Sequence, residues 1–326
     1  MWNKENFNDY AIHLYAIAEG TGHIQRIFHI AEYLSKFYKN ILVFIWNIHN
    51  HTFIENYIRK MNFRQSYFIF HSFNEIQLKN NKTNYFIIMD IRDYDPDIIK
   101  KVYKKNKSYI LSIDNYNKNK YNDINYWYTL PHPKMELPIK ESLKKNFWNP
   151  AFIQYLLNNS NCINKNQFIL VYLGLHNDNT YKKILDKKLK VKQILQSLEI
   201  IKKNENVNII TIDNKTFYSP EEFYKIFNSI DIVITYPGIL FYEAMLLNKI
   251  IIAYHFNSLI HSKILDKIRK EFSDYYNQTL LINHKINSYE FFYFDFKMFK
   301  EIELNNFNLW TPYQNLKNWI EKYISD

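Results

Sequence analysis

At 326 residues the chain has room for one large or two ordinary domains, and its 47% hydrophobic content is enough to fill their cores, which excludes a disordered tail. A formal net charge of +10 would favour phosphate-rich partners if it were clustered, but the lysines are spread over nearly every expected helix and loop, as solvated faces are, so nucleic acid is set aside as a partner. Cys162 stands alone, no Cys/His set has zinc spacing, no apolar run reaches the roughly 18 residues of a membrane span, and Lys4, Glu5 and Asp9 occupy the place of a signal's apolar run; we expect a soluble, cytoplasmic protein without an integral membrane segment.

Along the first half, short apolar runs alternate with segments of helical period, the pattern of a parallel sheet covered by helices. Strands are expected at 11–18, 41–48, 67–70, 85–90, 108–114 and 124–129. Between the first two, Ile24, Ile27, Phe28, Ala31, Leu34 and Tyr38 recur at three- and four-residue spacing and predict an amphipathic helix. The stretch 131–150 holds four of the eight prolines and interrupts the alternation, so it reads as an inter-domain connection. The pattern then restarts with a strand at 168–173, a helix over 180–203 and a strand at 207–213. Ser219-Pro220-Glu221-Glu222 follows, a capping box with proline at the first helical position. Strands at 232–236 and 250–254 and a last helix over 312–324 complete the chain. The expected domains are 1–140 and 141–311, both Rossmann-like, with 312–326 packing back on the first.

Only four glycines are present, Gly20, Gly22, Gly174 and Gly238, and they stand after expected strands and shortly before helices. In open parallel sheets that edge forms the ligand crevice, where helix N-termini offer unpaired N–H groups to phosphate. Glycine also simply makes tight strand-to-helix turns, so each position admits both readings.

Three constellations gather there. Gly20-Thr21-Gly22-His23 puts an imidazole at a helix start; it can take a proton from water or a sugar hydroxyl, or it can cap and pack the helix. Pro237-Gly238 leads into a helix carrying Glu243, placed to accept hydrogen bonds from ribose hydroxyls or to sit as an ordinary exposed helix glutamate. The Gly174 loop, with Asn177, offers helix caps or backbone N–H groups for a diphosphate. Asp90 and Asp114 end two further strands at the same edge, suited to hold a sugar hydroxyl, orient a base or cap.

Gly20-Thr21-Gly22-His23 with Arg26 resembles the G-x-G-H-x-x-R loop of the UDP-2,4-diacetamido-2,4,6-trideoxy-altropyranose hydrolases of pseudaminic acid biosynthesis, which belong with the GT-B nucleotide-sugar enzymes. The likeness extends to Ile113-Asp114-Asn115, where the family has I-D-D, to the Gly174 loop and to Pro237-Gly238 followed by Glu243. It implies a GT-B fold, two Rossmann-like α/β domains facing across a cleft, and a metal-independent enzyme with no cofactor that acts on a UDP-sugar. His23 matches the base that activates water against the anomeric carbon, and Glu243 matches the residue that holds the nucleotide ribose. The substrate-binding set would be Gly20, Thr21, Gly22, Arg26, Asp90, Asp114, Gly174, Asn177, Pro237, Gly238 and Glu243. Asn248 replaces a family glycine before the next strand, and Asn tolerates the left-handed backbone such a turn needs. Ile239 and Leu240 replace hydroxyl residues, which motivates the alternative of a non-catalytic nucleotide-sugar-binding protein.

Overall fold

A computed structural model describes residues 10–18, 21–49, 53–76, 84–91, 94–104, 106–115, 121–127, 168–174, 185, 188–213, 218, 220–255, 259–284, 287–297 and 311–325. The chain divides into two compact units. Met1–Leu130, Ser142–Asn149 and Asn308–Asp326 form the first, and Pro131–Glu141 with Pro150–Phe307 the second.

The first unit is built on six strands: β1 (Tyr10–Ile17), β2 (Ile41–Trp46), β3 (Tyr67–Phe70), β4 (Asn84–Asp90), β5 (Lys107–Ile113) and β6 (Ile124–Trp127). All neighbours pair in parallel, in the order β3-β2-β1-β4-β5-β6. Parallel strands need crossovers, and α1 (Thr21–Ser35) and α2 (Phe53–Met61) supply two of them. The stripe read from the sequence is the buried side of α1, through Ile24, Ile27, Phe28, Ala31 and Leu34.

The two faces of this sheet are distinct because strand side chains alternate. Tyr15, Ile17, Ile87, Met89 and Ile110 share one face with Phe44 and Phe70, covered by Ile99 of the short helix α3 (Asp97–Lys100) and by Tyr103 just after it. The Tyr103 hydroxyl stands 2.6 Å from His13 Nδ1 and 2.5 Å from the Tyr15 hydroxyl, so polar groups buried among aromatics satisfy one another. Burial lowers His13 to about 4, which keeps that ring neutral at pH 7. The described residues of α1 take no part in this cluster; α1 lies on the opposite face. The C-terminal helix of the chain (Thr311–Ser325) packs on the first unit through Tyr313 on Tyr33, Trp319 on Phe86 and Tyr323 on Tyr109, with ring centroids 5.0, 5.6 and 4.3 Å apart.

The second unit contains β7 (Phe168–Gly174), β8 (Asn208–Asp213), β9 (Ile230–Thr235), β10 (Ile250–Tyr254), β11 (Tyr276–His284) and β12 (Asn287–Asp295), ordered β11-β12-β10-β9-β7-β8. Strands β7 to β10 are parallel, whereas β12 runs antiparallel to β10 and β11 antiparallel to β12. This sheet is therefore mixed, where the sequence pattern predicts a parallel one. The hairpin went unread because Lys285-Ile286 between its strands lacks the Asn-Gly or Gly signature of a two-residue loop.

Helix α4 (Lys188–Ser197) ends before the expected 203, and residues 180–184, 186 and 187 of the expected helix lie outside the described residues. Glu199 adopts φ 57°, the Ile200 N–H donates to the Leu195 carbonyl at 2.9 Å, and Ile200 packs on the same core cluster as Leu195. Such a left-handed closure ends a helix whatever the propensity of the residues beyond it. Helix α5 (Pro220–Asn228) begins at the expected proline, and Ser219 lies outside the described residues. Asn248 takes φ 56° between α6 (Ile239–Leu246) and β10, the backbone that a glycine would ordinarily supply there. Helix α7 (Leu259–Glu271) follows β10. Among the described residues no helix is long and apolar enough to cross a membrane.

Candidate active site

In the first sheet the chain leaves β1 toward β2 on one side, while β4 on the other side leads on to β5. The carboxyl ends of β1 and β4 thus flank the point where strand order reverses, the place where open α/β sheets form a crevice. Helix α1 starts there with Thr21, Gly22 and His23 in its first turn, all partly exposed; Gly20 lies outside the described residues.

His23 retains 16% exposure and its Nδ1 lies 2.8 Å from Oδ1 of Asp90, the last residue of β4, which is fully buried. Arg26, one turn further along α1 and 2% exposed, donates from Nε to Asp90 Oδ2 at 2.8 Å and from Nη1 to Asp114 Oδ2 at 2.5 Å. Burial alone would raise the Asp90 carboxyl, but Arg26 and then His23 overcome it and hold the group down at about 2. Asp90 is therefore an ionised, acceptor-only group. The hydrogen bond then requires the proton on Nδ1, which leaves a lone pair on Nε2 of the neutral ring. An imidazole so oriented by a buried carboxylate has the geometry of a general base.

The same distances bear on Arg26, Asp90 and Asp114. All three are buried, and these polar contacts turn them toward one another and toward His23. Asn115 is also buried and donates through Nδ2 to the Tyr94 carbonyl at 2.8 Å.

In the second sheet the order reverses between β7 and β9, and Gly174 ends β7 while Tyr236-Pro237-Gly238 follows β9. Asn177 lies outside the described residues. Pro237 is buried, and Gly238 caps α6 with its N–H donating to the Tyr236 carbonyl at 2.8 Å. A Cβ at position 238 would stand 2.9 Å from Cε2 of Tyr236, so the aromatic ring gives this glycine a reason independent of any ligand. Gly238→Ala is expected to destabilise the second unit by about 1–3 kcal/mol. In a Tyr236→Ala background, which itself loses the packing of that ring, the glycine substitution should add much less, as thermal denaturation of the two single variants and the double variant would show.

Glu243 sits on α6 with 2% exposure, and burial pushes its carboxyl well above the usual carboxylate range. The sequence suggests a wet helix face here. Instead Leu240, Phe241, Tyr242, Ala244 and Met245 are all buried, so the described side chains of α6 offer no wet side and the acid lies in a dry setting that favours its neutral form. His255, which closes β10 at the same sheet edge, escaped the sequence reading; its Nε2 is 3.5 Å from Glu290 Oε2. Its only sequence signal is a polar residue ending the run Ile250 to Tyr254.

No family model matches the chain, and no curated protein matches it. Among solved structures it is similar to the E. coli ADP-heptose LPS heptosyltransferase II, at 9% identity over 81% of this chain and 99% of the other, with a TM-score of 0.33. It is also similar to the wall teichoic acid polymerase TagF, at 11% identity over 76% of this chain and 70% of the other, with a TM-score of 0.32. Likeness at these scores is too slight to carry an assignment, and the functional reading rests on the site itself.

Proposed function

We propose that the protein is a GT-B-type, nucleotide-sugar-processing enzyme of the cytoplasm, which cleaves a UDP-sugar at its anomeric carbon in surface-glycan or nonulosonic acid biosynthesis. The observation that carries this is the His23–Asp90 pair at the first turn of α1, on the crevice edge of the first sheet. In the proposed step the oxygen of water, or of an acceptor hydroxyl, bonds to the anomeric carbon while its proton passes to His23 Nε2. The bond from that carbon to the phosphate oxygen breaks, and its electron pair leaves with UDP. Thr21 and Gly22 lie beside the reacting centre in this account, while Gly174, Pro237 and Gly238 are assigned the UDP side.

Position 240 favours a second reading. Leu240, buried on α6, stands where a hydroxyl residue would hold phosphate or sugar, which supports a nucleotide-sugar-binding protein without turnover. Incubation with a panel of UDP-sugars, with and without sugar and lipid acceptors, separates the two. Repeated UDP release is the expected outcome, saturable UDP binding with no release favours the second reading, and absence of both overturns the proposal.

A further inference from the structure

The strand β5 runs with Ile110 on the face covered by α3, and alternation assigns Ser112 and position 114 to that same face. Helix α1 and Arg26 lie on the other one. Yet Asp114 reaches Arg26, because its backbone leaves the strand conformation with φ 49°. A left-handed backbone is costly for most residues other than glycine, and less so for aspartate. Here the departure coincides with a buried ion pair whose other end is the carboxylate that holds His23.

We infer that Asp114 is a positioning residue for the base, acting through Arg26 and Asp90 on the orientation and tautomer of His23. The chain of contacts is continuous. Asp114 Oδ2 accepts from Nη1–H of Arg26 at 2.5 Å, Asp90 Oδ2 accepts from Nε–H of the same guanidinium at 2.8 Å, and Asp90 Oδ1 accepts from the Nδ1–H of His23 at 2.8 Å. A planar guanidinium fixed at both ends cannot rotate about its own axis, and so it fixes the plane of the Asp90 carboxylate. With that plane set, Oδ1 faces the imidazole, and Nδ1–H is the favoured tautomer although free imidazole side chains prefer Nε2–H. Asp114 thus acts through two intervening side chains and governs whether the lone pair sits on the outward nitrogen. A buried cation between two carboxylates serving only to hold the fold would show no such dependence.

This inference rests on His23 as the base, and its test reads the ring directly as well as the reaction. The full-length chain carrying 15N-labelled histidine is compared with Asp114→Gly, which keeps the left-handed backbone and removes the carboxylate, and with Asp114→Asn, which keeps the shape and removes the charge. His23→Gln assigns the resonances. At a pH where the ring is neutral, the wild-type His23 signals should report Nδ1–H, and at least one folded variant should shift toward a mixture with Nε2–H. The kcat for UDP release should fall on the order of tenfold or more in that variant, with KM little changed. An unchanged Nδ1–H tautomer in both variants, or Nε2–H already in the wild type, overturns the inference whatever the activity. A tautomer shift in a protein that releases no UDP from any sugar supports the positioning role and sinks the enzymatic reading instead.

Discussion

Arg26→Met is expected to cost about 3–5 kcal/mol of stability in the first unit, a larger loss than Gly238→Ala brings to the second. The side chain is 2% exposed and holds Asp90 and Asp114, so its removal leaves two carboxylates buried near one another without the cation between them. Burial itself works against the guanidinium's charge, but the two carboxylates outweigh it and keep the group protonated. Denaturant unfolding, followed by a probe in the first unit, would measure the loss. The triple variant Arg26→Met, Asp90→Asn, Asp114→Asn removes all three charges and should regain much of it. A loss below about 1 kcal/mol in the single variant would mean that the network contributes little to folding.

The same network sets an acid limit. Asp90 is at about 2 in the folded chain against an ordinary 3.8, so the folded state binds this proton less readily than the unfolded one. Its contribution is fully present above about pH 4 and is lost as pH falls through about 2. Asp90→Asn should flatten the stability profile across that window.

His23→Ala is the substitution expected to affect chemistry most. Removal of a general base typically costs about 10²–10⁴ in rate, and because Nε2 acts only on the attacking hydroxyl, UDP should bind nearly as before. Turnover and UDP affinity measured side by side give the answer, and their joint loss would assign His23 to holding the site together. Asp90→Asn offers a finer probe. An amide can donate to Nδ1 and so drive the ring proton to Nε2, which removes the base while leaving the imidazole in place. Its turnover should therefore drop nearly as far as in His23→Ala.

Particular residues show what local sequence can and cannot carry. The stripe from Ile24 to Leu34 could be read directly, because burying an apolar helix face is a local consequence of its spacing. Pro220 marked its helix start for similarly local reasons. The end of α4 could not be read, since the left-handed Glu199 serves the packing of Ile200 on a core assembled from distant strands. Nor could the β11–β12 hairpin, whose strands gain their register from β10 rather than from a turn signal.

For the site the division is similar. Sequence alone placed Asp90, Asp114 and Gly174 at strand ends and His23 and Gly238 at the helix starts that follow strands, because strand and helix periods are set by neighbours a few residues away. Only tertiary structure decided what those positions became. Asp90 and Asp114, 64 and 88 residues beyond Arg26, were brought onto one guanidinium by the order of strands in a sheet. Glu243 was taken out of water by a helix whose described side chains are all buried, which pushes its carboxyl up. Charge state and hydrogen-bond partners depend on which surfaces meet in space and on the water excluded between them, and no local pattern of residues encodes that.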